Sequence, residues 1–271
     1  MKKKFKLGVI GGGFMSYSIV SGALYAKFLF ADEILVSDVN ESSLVKFSDK
    51  GVNVTLSNSE VLNQSEFVLF AVKPQNFIGS VGEIENISCK KFISIMAGVK
   101  KSTVKSALKS EDVKVARCMP NTPCSVGSGA VGIDLSDYET ADDRDFIENL
   151  FSSCAKVVLV DESKLNAVTG ISGSSPAYFY LFIKCLVEAG VKQGLSEADA
   201  KKLAANTMIG SGKMIFENAD KSLDELITAV CSKGGTTIEA IKVFNDSGLA
   251  GIIDKAVSAC VKRAEELENL S

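Results

Sequence analysis

The sequence predicts an α/β chain in which a doubly wound sheet over residues 1–162 precedes an all-helical domain over residues 163–271. Two observations carry this. From residue 5 to about residue 160, short apolar runs alternate with helical or turn-like segments, and the runs are near-continuous in Val, Ile, Leu and Phe. Strands buried on both faces of a parallel sheet read this way. After about residue 163 the segments lengthen to helical size and acquire start and stop signals.

Six runs fit strand length: Phe5–Ile10, Glu33–Ser37, Phe67–Val72, Lys91–Met96, Val113–Cys118 and Ala155–Val160. The helical half opens where Ser174-Ser175-Pro176 sets proline at a first helical position. Ser196 with Asp199, and Ser222 with Glu225, have capping-box spacing, while Gly190, Gly194 and Gly248 sit where helices can end. Four or five helices are expected. The first reads Ala177-Tyr178-Phe179-Tyr180-Leu181-Phe182-Ile183, apolar around its whole circumference, and must be covered on several sides. The expected cover is an obligate homodimer with these helices packed across the two-fold, or a higher homo-oligomer built from such dimers. The second domain is therefore read as a dimerisation domain; a central helix of a monomeric bundle is the alternative.

The 271 residues include neither His nor Trp, and 30 Lys+Arg stand against 33 Asp+Glu. Without imidazole there is no Ser-His-Asp or Cys-His triad, no HExxH zinc site and no histidine pH switch. Hydroxyls, carboxylates, lysines or water must handle protons. A formal charge of −3 argues against a phosphate-backbone binder, so no nucleic-acid partner is expected. Cys89, Cys118, Cys124, Cys154, Cys185, Cys231 and Cys260 form no CxxC pair, which indicates neither a disulfide framework nor a metal site. Each reads as a small buried apolar residue in a reducing cytoplasm. The opening Met1-Lys2-Lys3-Lys4-Phe5 imitates a signal-peptide n-region, but Gly11, Gly12 and Gly13 break the apolar stretch behind it. No run approaches the ~18 apolar residues that span a bilayer, so no membrane association is expected.

Five segments carry chemistry. Gly11-Gly12-Gly13-Phe14-Met15-Ser16 follows the first strand and opens a helix, approximating the GxGxxG of a Rossmann-type dinucleotide site, with Ser16 in the third small position. The first Gly makes the tight turn, the second lets a pyrophosphate approach the backbone, and the helix N-terminus offers free N–H groups. The second strand ends at Ser37-Asp38-Val39, where an acidic residue hydrogen-bonds an adenosine ribose and repels a 2′-phosphate; Asp38 equally fits a cap of the strand-to-helix turn. Val72-Lys73-Pro74-Gln75 and Met119-Pro120-Asn121-Thr122-Pro123 stand at strand ends, which line the ligand crevice of such sheets, although proline there also simply stops a strand. In Ser232-Lys233-Gly234-Gly235-Thr236-Thr237, two glycines run into a helix, and the free N–H groups make an anion hole for a carboxylate or phosphate. A TxxE capping box from Thr236 to Glu239 competes with that reading.

Taken in order, GGGFMS, VKPQ, IMAGV, RCMPNTP, AVTGISGSSPAY and SKGGTTIEAI resemble pyrroline-5-carboxylate reductase over nearly the whole chain. The resemblance implies reduction of the cyclic imine (S)-1-pyrroline-5-carboxylate to L-proline by NADPH or NADH. It also implies a Rossmann domain, a helical dimerisation domain and an active site completed by the partner subunit. Ile10, Gly11, Gly12, Gly13, Phe14 and Met15 would then cradle the pyrophosphate. Ser37, Asp38, Val39 and Asn58 would face the ribose. Val72, Lys73 and Pro74, with Ile95, Met96 and Ala97, would line the path to the nicotinamide, and Asn121 would sit beside its ring. Glu162 matches a position near the substrate amine; Lys233, Gly234, Gly235, Thr236 and Thr237 match the substrate-binding loop, with Thr237 the catalytic hydroxyl. The chain departs from the family in SKGG for SPGG, in SGSSP for SGSGP, and in lacking a basic residue after the second strand. Two other readings stand beside this one. A Rossmann dehydrogenase of the 3-hydroxy acid type would need a helical lysine, for which Lys184 is the candidate, and a dinucleotide-binding sensor would bind without turnover.

Overall fold

A computed structural model of the chain describes residues 4–81, 87 and 89–268; Met1, Lys2 and Lys3 of the lysine-rich opening lie outside them. The apolar runs pair into one sheet of β1 (Phe5–Ile10), β2 (Ile34–Ser37), β3 (Asn53–Thr55), β4 (Ser65–Phe70), β5 (Lys91–Ser94), β6 (Lys114–Pro120), β7 (Gly129–Asp134) and β8 (Ala155–Leu159). The spatial order is β3-β2-β1-β4-β5-β6-β7-β8. It reverses at β1, where Ile10 lies opposite both Ser37 of β2 and Phe70 of β4. Ligands of open α/β sheets bind at such a switch point, beyond the carboxyl ends of the strands.

Two strands escape the sequence pattern. β3 is only three residues long, with two of them exposed. β7 is interrupted by Gly129 and Gly132, which read as turn residues but are there for space: a Cβ on Gly132 would meet the Val168 methyls at 2.7 Å, and one on Gly129 would run into the Cys124 Sγ. The expectation of a purely parallel sheet is also corrected, because β6 and β7 pair antiparallel while every other pair is parallel. The connection from β6 to β7 is a single 3₁₀ turn, Thr122–Val126, closed by Gly127 at φ +68°, too short for the crossover that a parallel pair needs.

Helices α1 (Phe14–Tyr25), α2 (Glu41–Ser48), α3 (Asn58–Gln64), α4 (Phe77–Val81), α5 (Lys101–Ala107) and α6 (Ala141–Ser152) cover the sheet. Period-two alternation divides each strand between two cores. On β4, Phe67 and Leu69 join Ile19, Phe47, Phe146 and Phe151 on one face, while Val68 and Phe70 join Val61, Phe77, Phe92 and Val104 on the other. Phe67 stacks on Phe146 with ring centroids 4.2 Å apart, and Phe70 on Phe92 at 5.3 Å.

The remaining helices are α7 (Leu165–Val168), α8 (Ser175–Lys192), α9 (Glu197–Glu217), α10 (Leu223–Ala229), α11 (Thr236–Asp246) and α12 (Leu249–Glu268). By contact the chain forms two units, Met1–Pro176 with Ala259–Ser271, and Ala177–Ser258. The last turns of α12 thus belong to the sheet's unit. Inside the helical unit, Ser196 Oγ accepts the Asp199 N–H, and Ser222 with Glu225 closes a reciprocal capping box. Gly194 (φ +96°) and Gly248 (φ +71°) follow helix ends. Gly190 does not end one: it lies inside α8, where a Cβ would press on the Ala200 Cβ at 3.2 Å. Among the described residues no helix is long and apolar enough to cross a membrane.

Candidate active site

The loop after β1 is built for an anion. Gly11 holds φ +107°, and a Cβ there would strike the Ala71 carbonyl oxygen at 2.7 Å, so only glycine fits between β1 and the end of β4. Nothing lies within 4 Å of where a Gly13 Cβ would be. Gly13 is the N-cap of α1 without a side-chain cap, and the first turn carries no acidic residue, which leaves free N–H groups and the positive end of the dipole facing outward. The serine in the third small position has its own task. Ser16 is buried, and its Oγ donates to the Gly11 carbonyl at 2.6 Å and lies 3.1 Å from that of Gly13, cinching the loop from within.

A cleft of about 380 Å³ opens beside this loop, lined by Ile10, Gly11, Gly13, Asp38, Val39, Asn58, Ala71, Val72, Lys73, Asn76, Gly79 and Ser80. Asp38 sits at the end of β2; its Oδ2 accepts the Gly12 N–H at 2.7 Å and its Oδ1 the Asn40 N–H at 2.8 Å. Ser37 turns inward: its buried hydroxyl donates to Asn58 Oδ1 at 2.7 Å, and Asn58 Nδ2 donates to the Ser80 carbonyl at 3.0 Å. Asn76, on the turn that Pro74 opens, and Gly79 and Ser80, on α4, are lining residues the sequence reading misses; their position beyond a strand end is the only available signal. Lys46, one and a half turns into α2, reaches back to the Gly13 carbonyl at 3.3 Å.

The next strand ends are held by charge. Ile95 is half-buried, Met96 is packed in the core and Ala97 is exposed. Asn121 is nearly buried; its Nδ2 donates to the Ser172 carbonyl at 3.1 Å and its Oδ1 accepts the Ala130 N–H at 2.9 Å. Glu162 Oε1 accepts the Lys101 N–H at 2.8 Å and faces Arg117 Nη1 at 3.3 Å, while the Glu162 N–H donates to Asp134 Oδ2 at 2.7 Å. Lys101 Nζ donates to Asp134 at 2.6 Å and to Asp137 at 3.1 Å. Burial alone would lower the Lys101 pKa, but hydrogen bonds and charge from these aspartates raise it above the ordinary lysine value. Burial likewise opposes ionisation of Asp134, yet Lys101 and Ser136 bring it below the ordinary aspartate value. Arg117 Nη2 completes the network on Glu268, at 2.6 Å.

In the helical unit the competition at Thr236 is resolved against the capping box. The N-cap of α11 is Gly235, with no side-chain cap, and Glu239 pairs with Lys242 at 2.7 Å instead. Gly234 adopts φ +73°, the Gly235 N–H donates to the Ser232 carbonyl at 3.0 Å, and Lys233 and Thr236 are exposed. The first turn of α11 therefore presents two threonine hydroxyls and its own N–H groups. Lys184 pairs with Glu188 one turn on in α8, at 2.7 Å, and both are exposed in the single chain. The cysteines divide: Cys89, Cys118, Cys124 and Cys154 are buried, but Cys185 is exposed and Cys231 and Cys260 are half-buried; Cys185 and Cys231 lie in the helical unit, which has little interior to offer. Contact with Cys124, and then burial, push the Cys154 thiol up.

Residues 162–267 match the family model for pyrroline-5-carboxylate reductase dimerisation, and residues 6–98 match the model described as NADP oxidoreductase coenzyme F420-dependent. A pyrroline-5-carboxylate reductase of Haemophilus influenzae is 35% identical over 97% of this chain and 98% of its own length. The chain belongs to the pyrroline-5-carboxylate reductase family. Among solved structures, the pyrroline-5-carboxylate reductase of Coxiella burnetii superposes with TM-score 0.90 at 31% identity, covering 98% of this chain and 99% of that one. The Plasmodium falciparum enzyme, solved with NADP bound, gives TM-score 0.86 at 27% identity over 99% and 100% of the two chains.

Proposed function

We propose that the chain reduces the C=N bond of (S)-1-pyrroline-5-carboxylate to L-proline, using NADPH or NADH. The observation that carries this is the uncapped start of α11. A capping box would have spent the Thr236 hydroxyl on the helix; instead Thr236, Thr237 and the N–H groups behind Gly235 stand ready for a substrate carboxylate and ring nitrogen. The glycine loop fits a dinucleotide by the same test, since Gly13 leaves open space where a side chain would fill it.

Residues 1–162 hold the dinucleotide and residues 163–271 form the substrate and dimerisation domain. The reduced nicotinamide supplies the hydride. Gly11, Gly12 and Gly13 hold the pyrophosphate, Asp38 the ribose, and Lys73, Ala97 and Asn121 border the nicotinamide. Lys233, Gly234, Gly235 and Thr236 anchor the carboxylate, and the Thr237 hydroxyl bonds the ring nitrogen. Glu162, already holding Arg117 and the Lys101 N–H, fixes the wall of the site. A threonine is too weak an acid to protonate the nitrogen unaided, so the substrate binds as the iminium or water relays the proton. Positioning and fixed dipoles then carry the rate. With no histidine in the chain, a pH optimum near neutrality reports the imine or another group. The working form is a homodimer in the cytoplasm.

Thr237→Ala tests the assignment. The variant is expected to lose about 10²-fold in kcat/KM for the imine while binding dinucleotide as the wild type does. Wild-type kcat/KM in the variant would overturn the role of Thr237.

A further inference from the structure

The cleft at the end of β2 is one-sided in charge, and the sidedness is structural. Swinging the Asp38 carboxylate out of the way would break two hydrogen bonds, because one oxygen holds the Gly12 N–H at 2.7 Å and the other the Asn40 N–H at 2.8 Å. A carboxylate has about four acceptor positions, so each oxygen keeps capacity for a ribose hydroxyl while its orientation is fixed. The Gly12 bond ties this carboxylate directly to the loop that cradles the pyrophosphate.

No cation among the described residues lies directly against the carboxylate to neutralise a phosphate placed there. Among the described residues lining the cleft the one cation is Lys73. It follows β4, two strands across from β2, which sets its backbone about 10 Å away from that of Asp38. Val39 occupies the position after Asp38 and is 92% exposed, an apolar side chain where a guanidinium would be needed. Lys46 is committed elsewhere: its Nζ lies 3.3 Å from the Gly13 carbonyl, 5.2 Å from the Tyr17 ring and 5.5 Å from that of Phe47. The start of α2 offers no anion site either, since Asn40 caps it through the Ser42 N–H and Glu41 already brings a carboxylate to its first turn.

We propose that this chain selects the dinucleotide with a free 2′-hydroxyl, NADH over NADPH, with Asp38 as the specificity-determining residue. The inference rests on the reading of this cleft as the dinucleotide site, but not on the identity of the imine. A free ribose diol donates to the fixed carboxylate, whereas a 2′-phosphate sets close to two negative charges against it.

The test is equilibrium binding of NADH and NADPH to the wild-type chain and to Asp38→Asn, followed by the dinucleotides' own fluorescence, alongside kcat/KM with the imine. The wild type should bind NADH at least about ten-fold more tightly than NADPH. Asp38→Asn keeps an acceptor for the Gly12 N–H, and should bring the two affinities to within about three-fold, with NADPH gaining in absolute terms. Equal or tighter NADPH binding by the wild type overturns the proposal, as does an unchanged ratio in the variant. Lys46→Ala should leave the ratio unaltered; a selective loss of NADPH would show that Lys46 turns to a phosphate and would also overturn it. Tight, selective NADH binding without oxidation by the imine would sink the reductase reading and leave this one standing. Binding of neither dinucleotide would sink both.

Discussion

The two units bury their apolar residues to opposite degrees. In the sheet's unit, Phe47, Phe67, Phe70, Phe77, Phe92 and Phe151 are all fully enclosed. Between Ala177 and Ser258, Ala200 is the one buried residue among those described, while Phe179, Leu181, Ile209, Phe216 and Ile252 are more than half exposed. The helices are nonetheless correctly started and stopped, with intact caps at Ser196 and Ser222. Local signals are therefore complete where tertiary cover is missing, which is the signature of an element that finds its core on another surface. That cover is the homodimer proposed above.

Paired substitutions put the contrast at risk. Phe67→Ala, which removes a ring stacked on Phe146, should cost ~3–5 kcal/mol in urea unfolding of the sheet's unit. Leu181→Asp, at a position 61% exposed in the single chain, should leave the sheet's unit intact and convert a dimer to monomer in sedimentation. A variant that stays dimeric would mean that this face is not the interface.

Charge sharpens the same contrast. Lys101→Met leaves Asp134 and Asp137 without their shared cation, at a cost of ~3 kcal/mol. Asp134 has a folded pKa below its unfolded one, so its contribution is present above the ordinary carboxylate range and disappears as pH falls through the lowered folded value. Lys101 has the opposite sign: its contribution is whole below the ordinary lysine value and fades as pH rises through the raised folded one. The urea midpoint of the wild type should fall at both extremes, and that of the variant should fall less. At the small end, Lys184→Ala removes only a pair with Glu188 that is exposed in the single chain and should leave kcat/KM unchanged. A large loss would revive the 3-hydroxy acid dehydrogenase reading.

Legibility in the sequence followed burial and local spacing. Six strands stood out by their apolar runs; five of them are buried along most of their length, while β8 closes the edge of the sheet with Val158 and Leu159 about half exposed. β7 did not, because Gly129 and Gly132 owe their presence to Cys124 and Val168, neighbours that no local window contains. The glycine loop and Asp38 were visible as strand-end chemistry, whereas Asn76 and Ser80 came into the cleft only through the fold. At Thr236 the spacing leaned slightly toward the capping box, and the backbone went the other way by making Gly235 the cap. The partners of Glu162 were unreadable, since Lys101 and Arg117 reach it from 61 and 45 positions away.

One of those distant bonds orders events during synthesis. Arg117, with a side chain only 6% exposed, binds Glu268, which is translated 151 residues after it. On the ribosome this ion pair therefore cannot close until the whole helical unit has been made and the end of α12 arrives, and until then Glu162 is the carboxylate that Arg117 faces. Closure of this corner of the sheet should accordingly track emergence of Glu268 rather than completion of β8.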